Sequence, residues 1–415
     1  MAKEGILANL QRQIDALTAY FQAGCKQPGA LLLGLEVEHF VTRLDGTPVE
    51  YDRIKYVISS LQRAGDDPIY EEGIYLGYRT ALYSMTLCAG CQLKISVSPR
   101  SSVRELMMIY ESCYTRLCAA LAVNDLRAYT LGSHPTRRGD QLQMIPLNRY
   151  RILDRYLKNT GGHGGVLLRA TASTRVSISY TDEADFVRKF RVASLITPLL
   201  ALLTDNAPVY KGTPNERYSV RTRIRSDTDP DRFGIFPGLM KDSFGFEPYA
   251  GYLLQKPLVV ARHGARIVGV GRKSAFEVYP SVLGNSDMEQ ILSMFFFDVR
   301  VGQQIVLCAA DSLPPRYVAA YTQLLKTIFS SPAIQEGVLR RYSGVDEDQI
   351  EAAKLGVCCN GYHAQVYGRA AAGEISWLMA QAKSHAAAPE ERRMLEPLCD
   401  LAGRHRTLRQ AARRE

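Results

Sequence analysis

Residues 30–41 read ALLLGLEVEHFV. The run is dominated by apolar residues, with Pro28-Gly29 before it and Asp45-Gly46 after it. It predicts a strand, with the Asp-Gly pair turning the chain into a second strand as in a hairpin. Side chains alternate across a strand, so Glu36 and Glu38 point to the same face. Two carboxylates side by side in an apolar strand repel each other unless a positive partner joins them. A hard cation such as Mg²⁺, which takes oxygen ligands, is one such partner. The other reading is an edge strand whose glutamates face water. The spacing leaves both open.

Working outward, Ile6, Leu10, Ile14, Leu17 and Phe21 form one apolar stripe and predict a helix over 4–23. Residues 69–99 read as two or three strands broken at Glu72-Gly73 and Ala89-Gly90. Ser102 followed by Glu105 is a capping-box signature opening a helix to about Val123. A strand over 127–132 follows, then a loop-rich stretch containing Gly161 to Gly165, and LLRATASTRVSISY (167–180) reads as a strand. Residues 182–205 predict a helix that Pro198 should kink. Short strands fall in 256–280, and helices in 287–310, 314–330, 347–356, 373–386 and near 390–412. Strands and helices mix without βαβ alternation. The expected class is therefore α+β, a mainly antiparallel sheet flanked by helices. No linker divides the chain, so one domain over 1–415 is expected, with a helical C-terminal part from about 287.

The chain has 415 residues, 46% hydrophobic and 22% charged, which excludes a disordered chain, a collagen and a disulfide mini-protein. No run approaches the ~18 apolar residues of a spanning helix. The start, MAKEGILANLQRQ, has no signal-peptide core, and nine scattered cysteines suggest a reducing cytoplasm. The net charge of +9 suits nucleic acid or an anionic small molecule such as ATP. No zinc finger, RNP-like pattern or basic-plus-heptad region supports nucleic acid. The run Arg404-His405-Arg406, Arg409, Arg413-Arg414 reads as a solvated helix end.

Three further patterns bear on chemistry. Arg217, Arg221, Arg223 and Arg225 precede Asp227, Asp229, Asp231 and Arg232; guanidinium forks suit phosphate or carboxylate, although a surface ion-pair loop gives the same pattern. Cys88 and Cys91 form a lone CxxC, more simply two reduced cysteines at a turn than a redox or zinc pair. Residues 269–274 lack the P-loop frame, Gly161 to Gly165 lack the setting of a dinucleotide fingerprint, and His134, His163 and His263 read as loop histidines.

Taken in order, these segments resemble the glutamate–cysteine ligase family in its plant-like and proteobacterial branch. LEVEHF (35–40) resembles the family's Gly-x-Glu-x-Glu strand, MTLCAGCQLKIS (85–96) its TLEPGGQ-L-E-LS strand, and RATASTRVSIS (169–179) its R-T-x-T-x-QVNLD strand. Residues 181–215 resemble its S-E-A-D-x-x-x-K-F-R helix and the following Gly-x-Pro-Asn turn; 218–234, 243–258 and 295–315 continue in register. The resemblance implies a glutamine-synthetase-like catalytic domain. It also implies ATP-dependent joining of a glutamate γ-carboxylate to an amine through an acyl phosphate, as in glutathione biosynthesis, with ATP and Mg²⁺ as cofactors. It places Mg²⁺ on Glu36 and Glu38. Phosphate or substrate carboxylate falls to Arg221 and Arg232; Gln92, Asp229 and Arg300 are retained family positions, and Gln92 and Arg300 are further candidate cofactor-binding residues. An amino-acid substrate and ATP are the implied partners, with no nucleic acid or membrane; a protein partner or a second copy stays open.

The sequence also departs from that pattern. Cys88, Lys94 and Val306 stand where the family has acidic residues, Arg175 and Ser177 where it has Gln and Asn, and Cys308 where it has Arg. Lys94 and Arg175 thus add positive charge near the implied metal, which makes both of them candidate ligand-binding residues. Three readings fit: a ligase with a thinned metal site, a non-catalytic relative that binds ligand or regulates a partner, or a repurposed pocket. In the last, Lys94 and Arg175 take over phosphate charge, or Cys88 and Cys91 bind a softer metal.

Overall fold

The strand read at 30–41 is present as β1 (Leu33–Arg43), at the middle of the main sheet. The computed structural model describes residues 2–264, 266–279 and 283–411, with side chains from residue 7 onward. The other strands of the sheet are β2 (Asp67–Glu71), β3 (Ile74–Arg79), β4 (Tyr83–Leu87), β5 (Leu93–Arg100), β6 (Leu126–Tyr129), β7 (Thr174–Ile178), β8 (Val299–Val301) and β9 (Ile305–Leu307). Their spatial order is β8-β9-β7-β1-β5-β4-β3-β2, with β6 pairing the far end of β1. Every pairing is antiparallel, in keeping with the expected class.

The two faces of β1 follow from its alternation. Leu35, Val37, His39 and Val41 are buried on one face. There the imidazole of His39 stacks on Tyr114 and Tyr110 of the helix Val103–Val123, with ring centroids 5.0 and 6.1 Å apart. Burying side chains of this size contributes about 1.5–3 kcal/mol each. Ser102 caps that helix by accepting from the Glu105 backbone N–H; the Glu105 carboxylate reaches Arg100 at 2.8 Å instead of closing the box. Gly34, Glu36 and Glu38 occupy the opposite face.

Several expectations need correction. After Asp45-Gly46 there is only an isolated bridge, Thr42 to Pro48, and then the helix Tyr51–Leu61, whose Ile54, Val57 and Ile58 are buried at helical spacing. Residues 167–180 split into the helix Gly164–Ala170 and β7; Gly164 fits there because a Cβ would lie 1.9 Å from the Leu157 carbonyl oxygen. The run at 287–310 is a short helix, Asn285–Leu292, followed by β8 and β9, which complete the sheet. The helix Glu183–Leu203 continues through Pro198. Arg409 is not solvated: it is buried against Asp205 at 3.2 Å and lies over the Tyr218 ring, while Arg404 and His405 are exposed as expected. Ile6, Arg413 and Arg414 fall outside the described residues or side chains. The remaining C-terminal helices include Pro315–Ser330, Pro332–Arg341, Glu347–Asn360, Ala371–His385 and Pro389–Gly403, the second of them unforeseen.

Gly77 marks the tightest point of the sheet. Its φ is +140°, and a Cβ there would lie 2.0 Å from the Met85 carbonyl oxygen on β4. We expect Gly77→Ala to destabilise the chain by about 3 kcal/mol or more, read as a lower urea midpoint. An unchanged midpoint would contradict the close approach of β3 to β4.

Candidate functional site

Register brings the charged positions together. On one side of β1, Glu38 lies opposite Lys94 and Glu36 opposite Ser96; on the other, Glu36 lies opposite Arg175. Neighbouring strands are under 5 Å apart, so these side chains meet across and along the diagonals. Arg175 donates from Nη1 to Glu36 Oε2 at 3.2 Å and from Nη2 to Glu38 Oε1 at 2.7 Å. Lys94 Nζ reaches Glu36 Oε1 at 3.5 Å. The other oxygen of Glu38 accepts from both the backbone N–H and the hydroxyl of Ser173, at 2.9 and 2.8 Å. The two carboxylates thus share one guanidinium, which resolves their repulsion without a metal ion.

Charge follows from these contacts. Burial would raise the Glu36 carboxyl, but Lys94, Arg175 and Arg300 together hold it down to about 2. Burial opposes ionisation of Glu38 as well, and Arg175, Ser173, Arg221 and Lys94 keep it below the ordinary value. Glu36 in turn raises Lys94. Desolvation in the cleft beside Glu38 pushes the half-buried Cys88 thiol up to about 12, and burial does the same to Cys91.

Two cavities meet at Arg175. One, of about 280 Å³, is lined by Glu36, Arg175, Ser177, Arg300, Gln304 and Val306. The other, of about 200 Å³, is lined by Glu38, Cys88, Lys94, Arg175, Tyr150 and Arg221 together with Phe233 and Phe296, whose rings stack at 5.0 Å. Of the six positions at which the sequence departs from the resembled pattern, Cys88, Lys94, Arg175, Ser177 and Val306 line one or both, and Cys308 is buried outside them.

The remaining expected residues divide. Arg221, Arg223 and Arg225 lie on the helix Val220–Ser226, so this part of the arginine-rich stretch is not a surface loop, while Arg217 is exposed ahead of it. Arg221 Nη1 donates to the carbonyls of Ala309 and Ala310, and burial beside Arg225 lowers Arg221 to about 10, still cationic at neutral pH. Arg225 is spent on Asp298 at 3.0 Å. Arg232 requires correction as a ligand residue. It is fully buried, with Nε on Asp229 at 3.0 Å, Nη1 on Met294 O at 3.1 Å and Nη2 on Pro257 O, and it lies over the Tyr156 ring. Gln92 lines the second cavity, but its amide holds backbone: Nε2 donates to Arg169 O at 2.8 Å and Oε1 accepts from Gly90 N at 3.0 Å. Ser173 and Tyr150 were missed. Ser173 lies just before β7, two residues from Arg175 and so in step with it along the stretch read as a strand, a spacing that could have pointed to it; nothing in the sequence points to Tyr150.

The sequence pattern of glutamate–cysteine ligase family 2 matches residues 32–413. The chain belongs to this family. Similar relatives are the chloroplastic glutamate–cysteine ligases of Brassica juncea, 28% identical over 77% of this chain and 64% of that one, and of Arabidopsis thaliana, 27% identical over 84% and 66%. This glutamate–cysteine ligase family member therefore spans slightly less than two thirds of the length of those relatives. A solved structure of glutamate–cysteine ligase from Francisella tularensis, in complex with AMP, matches with a TM-score of 0.56 at 11% identity, covering 90% of this chain and 82% of that one. The fold is therefore shared with a glutamate–cysteine ligase. No helix among the described residues is long and apolar enough to cross a membrane.

The Mg²⁺ implied by the family resemblance does not fit the residues present. Among the described residues, no three of His, Cys, Asp and Glu gather where they could hold a metal ion. Glu38 has both oxygens engaged, and an ion shared with Glu36 would meet the Arg175 guanidinium. A divalent charge about 4 Å from a unit cation is opposed by roughly 8 kcal/mol at an effective dielectric near 20. The softer-metal reading at Cys88 and Cys91 fares no better, because among the described residues no third His, Cys, Asp or Glu joins them to hold an ion.

Two outcomes test this geometry. Glu36 is depressed in the folded state, so its contribution is present above the ordinary carboxylate value near 4.3 and is lost as pH falls through about 2. Urea midpoints measured from pH 6 to pH 2 should fall in acid, less steeply in Glu36→Gln; an identical slope would refute the ion pair. Glu38→Gln removes one of the two carboxylates on Arg175 and should cost about 3 kcal/mol. In a double-mutant cycle the loss should be non-additive with Arg175→Gln.

Proposed function

We propose that this chain is an ATP-dependent carboxylate–amine ligase of the glutamate–cysteine ligase type, acting in the cleft where the two cavities meet. The observation that carries this reading is Lys94, Arg175, Arg221 and Arg300 converging on that cleft in a chain matched by the family over 32–413. The AMP held by the Francisella tularensis relative supports a nucleotide as one ligand. An amino acid supplying the carboxylate is the other. All nine cysteines are free, which suits a reducing, cytoplasm-like compartment.

The chemistry sets what the residues must do. A carboxylate is a poor electrophile, so ATP phosphorylates it: a carboxylate oxygen bonds to the γ-phosphorus and ADP leaves. The amine then attacks the acyl carbon, phosphate departs, and the amine gives up a proton. Arg221 and Lys94 offer fixed positive charge to the phosphate oxygens. Arg300, which makes a long 3.5 Å bond to Phe295 O, can meet a second anion such as the substrate carboxylate. The stacked Phe233 and Phe296 give the second cavity an apolar wall against water.

One observation favours a second reading, a relative that binds ligand without turnover. Both glutamates are committed to cations, which leaves neither free as a base. The two readings separate on ADP release with ATP, glutamate and an amine, cysteine first. The ligase reading expects sustained ADP release only when all three are present, because the amine is needed to clear the acyl phosphate. The binding reading expects none, with ATP still raising the melting temperature. Neither ADP nor a melting shift would defeat both. Arg221→Gln should weaken ATP about tenfold, or 1.4 kcal/mol, by calorimetry; unchanged affinity would remove Arg221 from the site.

A further inference from the structure

We infer that the guanidinium of Arg175, clamped by Glu36 and Glu38, is a built-in cation standing where a divalent ion would, so that the cleft takes its phosphate ligand free of metal. This deepens the ligand-binding part of the function proposed above and rests on it. Four features carry the inference together. Arg175 bonds one oxygen of each glutamate, 3.2 Å to Glu36 and 2.7 Å to Glu38, the bridging role a metal would have between two carboxylates. The clamp is held from behind: Ser173 fixes the far oxygen of Glu38 with two bonds, so Glu38 cannot turn toward another ion without losing them. Arg175 alone lines both cavities together with one or the other glutamate, so any ligand reaching from one cavity to the other passes its guanidinium. Two carboxylates face four cations across these cavities, Lys94, Arg175, Arg221 and Arg300, with Arg225 already neutralised by Asp298. A cleft with that surplus favours the more negative free nucleotide over its metal complex.

The substituted positions make the same point from the sequence. Cys88, Lys94 and Val306 line the cavities at places where the family resemblance has acidic side chains, so negative charge is withdrawn on several strands at once. A guanidinium is always protonated and presents a planar fork, so it supplies a fixed charge with directional bonds. Unlike an exchangeable ion, it cannot be removed by a chelator.

The experiment uses the full chain after EDTA treatment. Mn²⁺, a paramagnetic reporter for divalent ions, is titrated by electron paramagnetic resonance, and ATP is titrated by calorimetry in EDTA and in excess Mg²⁺. We expect no Mn²⁺ site tighter than millimolar and ATP affinity in EDTA at least threefold tighter than with Mg²⁺. Arg175→Gln should weaken ATP in EDTA about tenfold and gain a Mn²⁺ site, which adding Glu36→Gln removes. Should Arg175→Gln fail to fold, Lys94→Gln is read instead, with ATP in EDTA weakened about threefold. The inference is overturned by a wild-type Mn²⁺ site that Glu36→Gln abolishes, by ATP binding that requires Mg²⁺, or by no ATP binding in either condition. A chain that binds metal-free ATP yet forms no ADP would lose the ligase reading and keep this one.

Discussion

The cleft is organised by one electrostatic constraint: two glutamates two residues apart on a central strand must share a positive partner. Glu36 and Glu38 cannot separate, because the alternation of β1 fixes both on one face while Leu35 and Val37 are buried on the other. A slip of one residue would carry the carboxylates into the helix-packed core, and the hydrophobic side chains out of it. Arg175 enters from β7 at the cross-strand position that lets one guanidinium reach both, and Lys94 enters from β5 on the other side. Each carboxylate would be costly to bury alone; paired, they are retained as anions and fix the arginine between them.

The surroundings hold that arrangement still. Ser312 donates its hydroxyl to the backbone carbonyl of Glu38, and Thr174 Oγ1 accepts from Leu313 N at 3.1 Å, so the segment after β9 is stitched to β1 and β7. Gln92 ties the turn before β5 to the chain leading into β7. Farther out, Arg225, Asp298 and Lys354 form a buried cluster that carries the arginine-bearing helix Val220–Ser226 against the segment preceding β8. Arg232 plays a comparable part with Asp229. The arginine-rich stretch therefore serves two ends: Arg221 lines the cleft, while Arg225 and Arg232 brace what surrounds it.

How much of this was legible in the sequence depends on the length scale of each signal. β1, the Ser102-capped helix and the helix Glu183–Leu203 were readable because periodicity and capping are local. The pair Glu36 and Glu38 was readable for the same reason. The helix Tyr51–Leu61 was hidden by the hairpin signal of Asp45-Gly46, and β8 and β9 by the apolar run around them, which periodicity alone cannot assign. Arg175 and Lys94 were identified by contrast with a family pattern. That they reach the glutamates is a matter of strand register, which no spacing within one segment encodes. Arg232 was misplaced because an arginine beside an aspartate looks the same whether it faces a ligand or three internal acceptors. Arg409, read as solvated, is buried for the same reason: its partner Asp205 is some two hundred residues away in the chain.

The distribution of charge bears on how two glutamates can be buried side by side in this cleft. Without cationic partners the two carboxylates would be costly there, whereas an apolar pair would pack in that strand at no electrostatic cost. With Arg175 and Lys94 present, each carboxylate has a partner whose burial it balances. The reverse also holds: Arg175 could not sit so close to Arg221 and Lys94 without the glutamates to offset it. Acids and bases in this cleft therefore form a single coupled set, in which a change at one member is felt at the others, and the cations outnumber the carboxylates facing the open space.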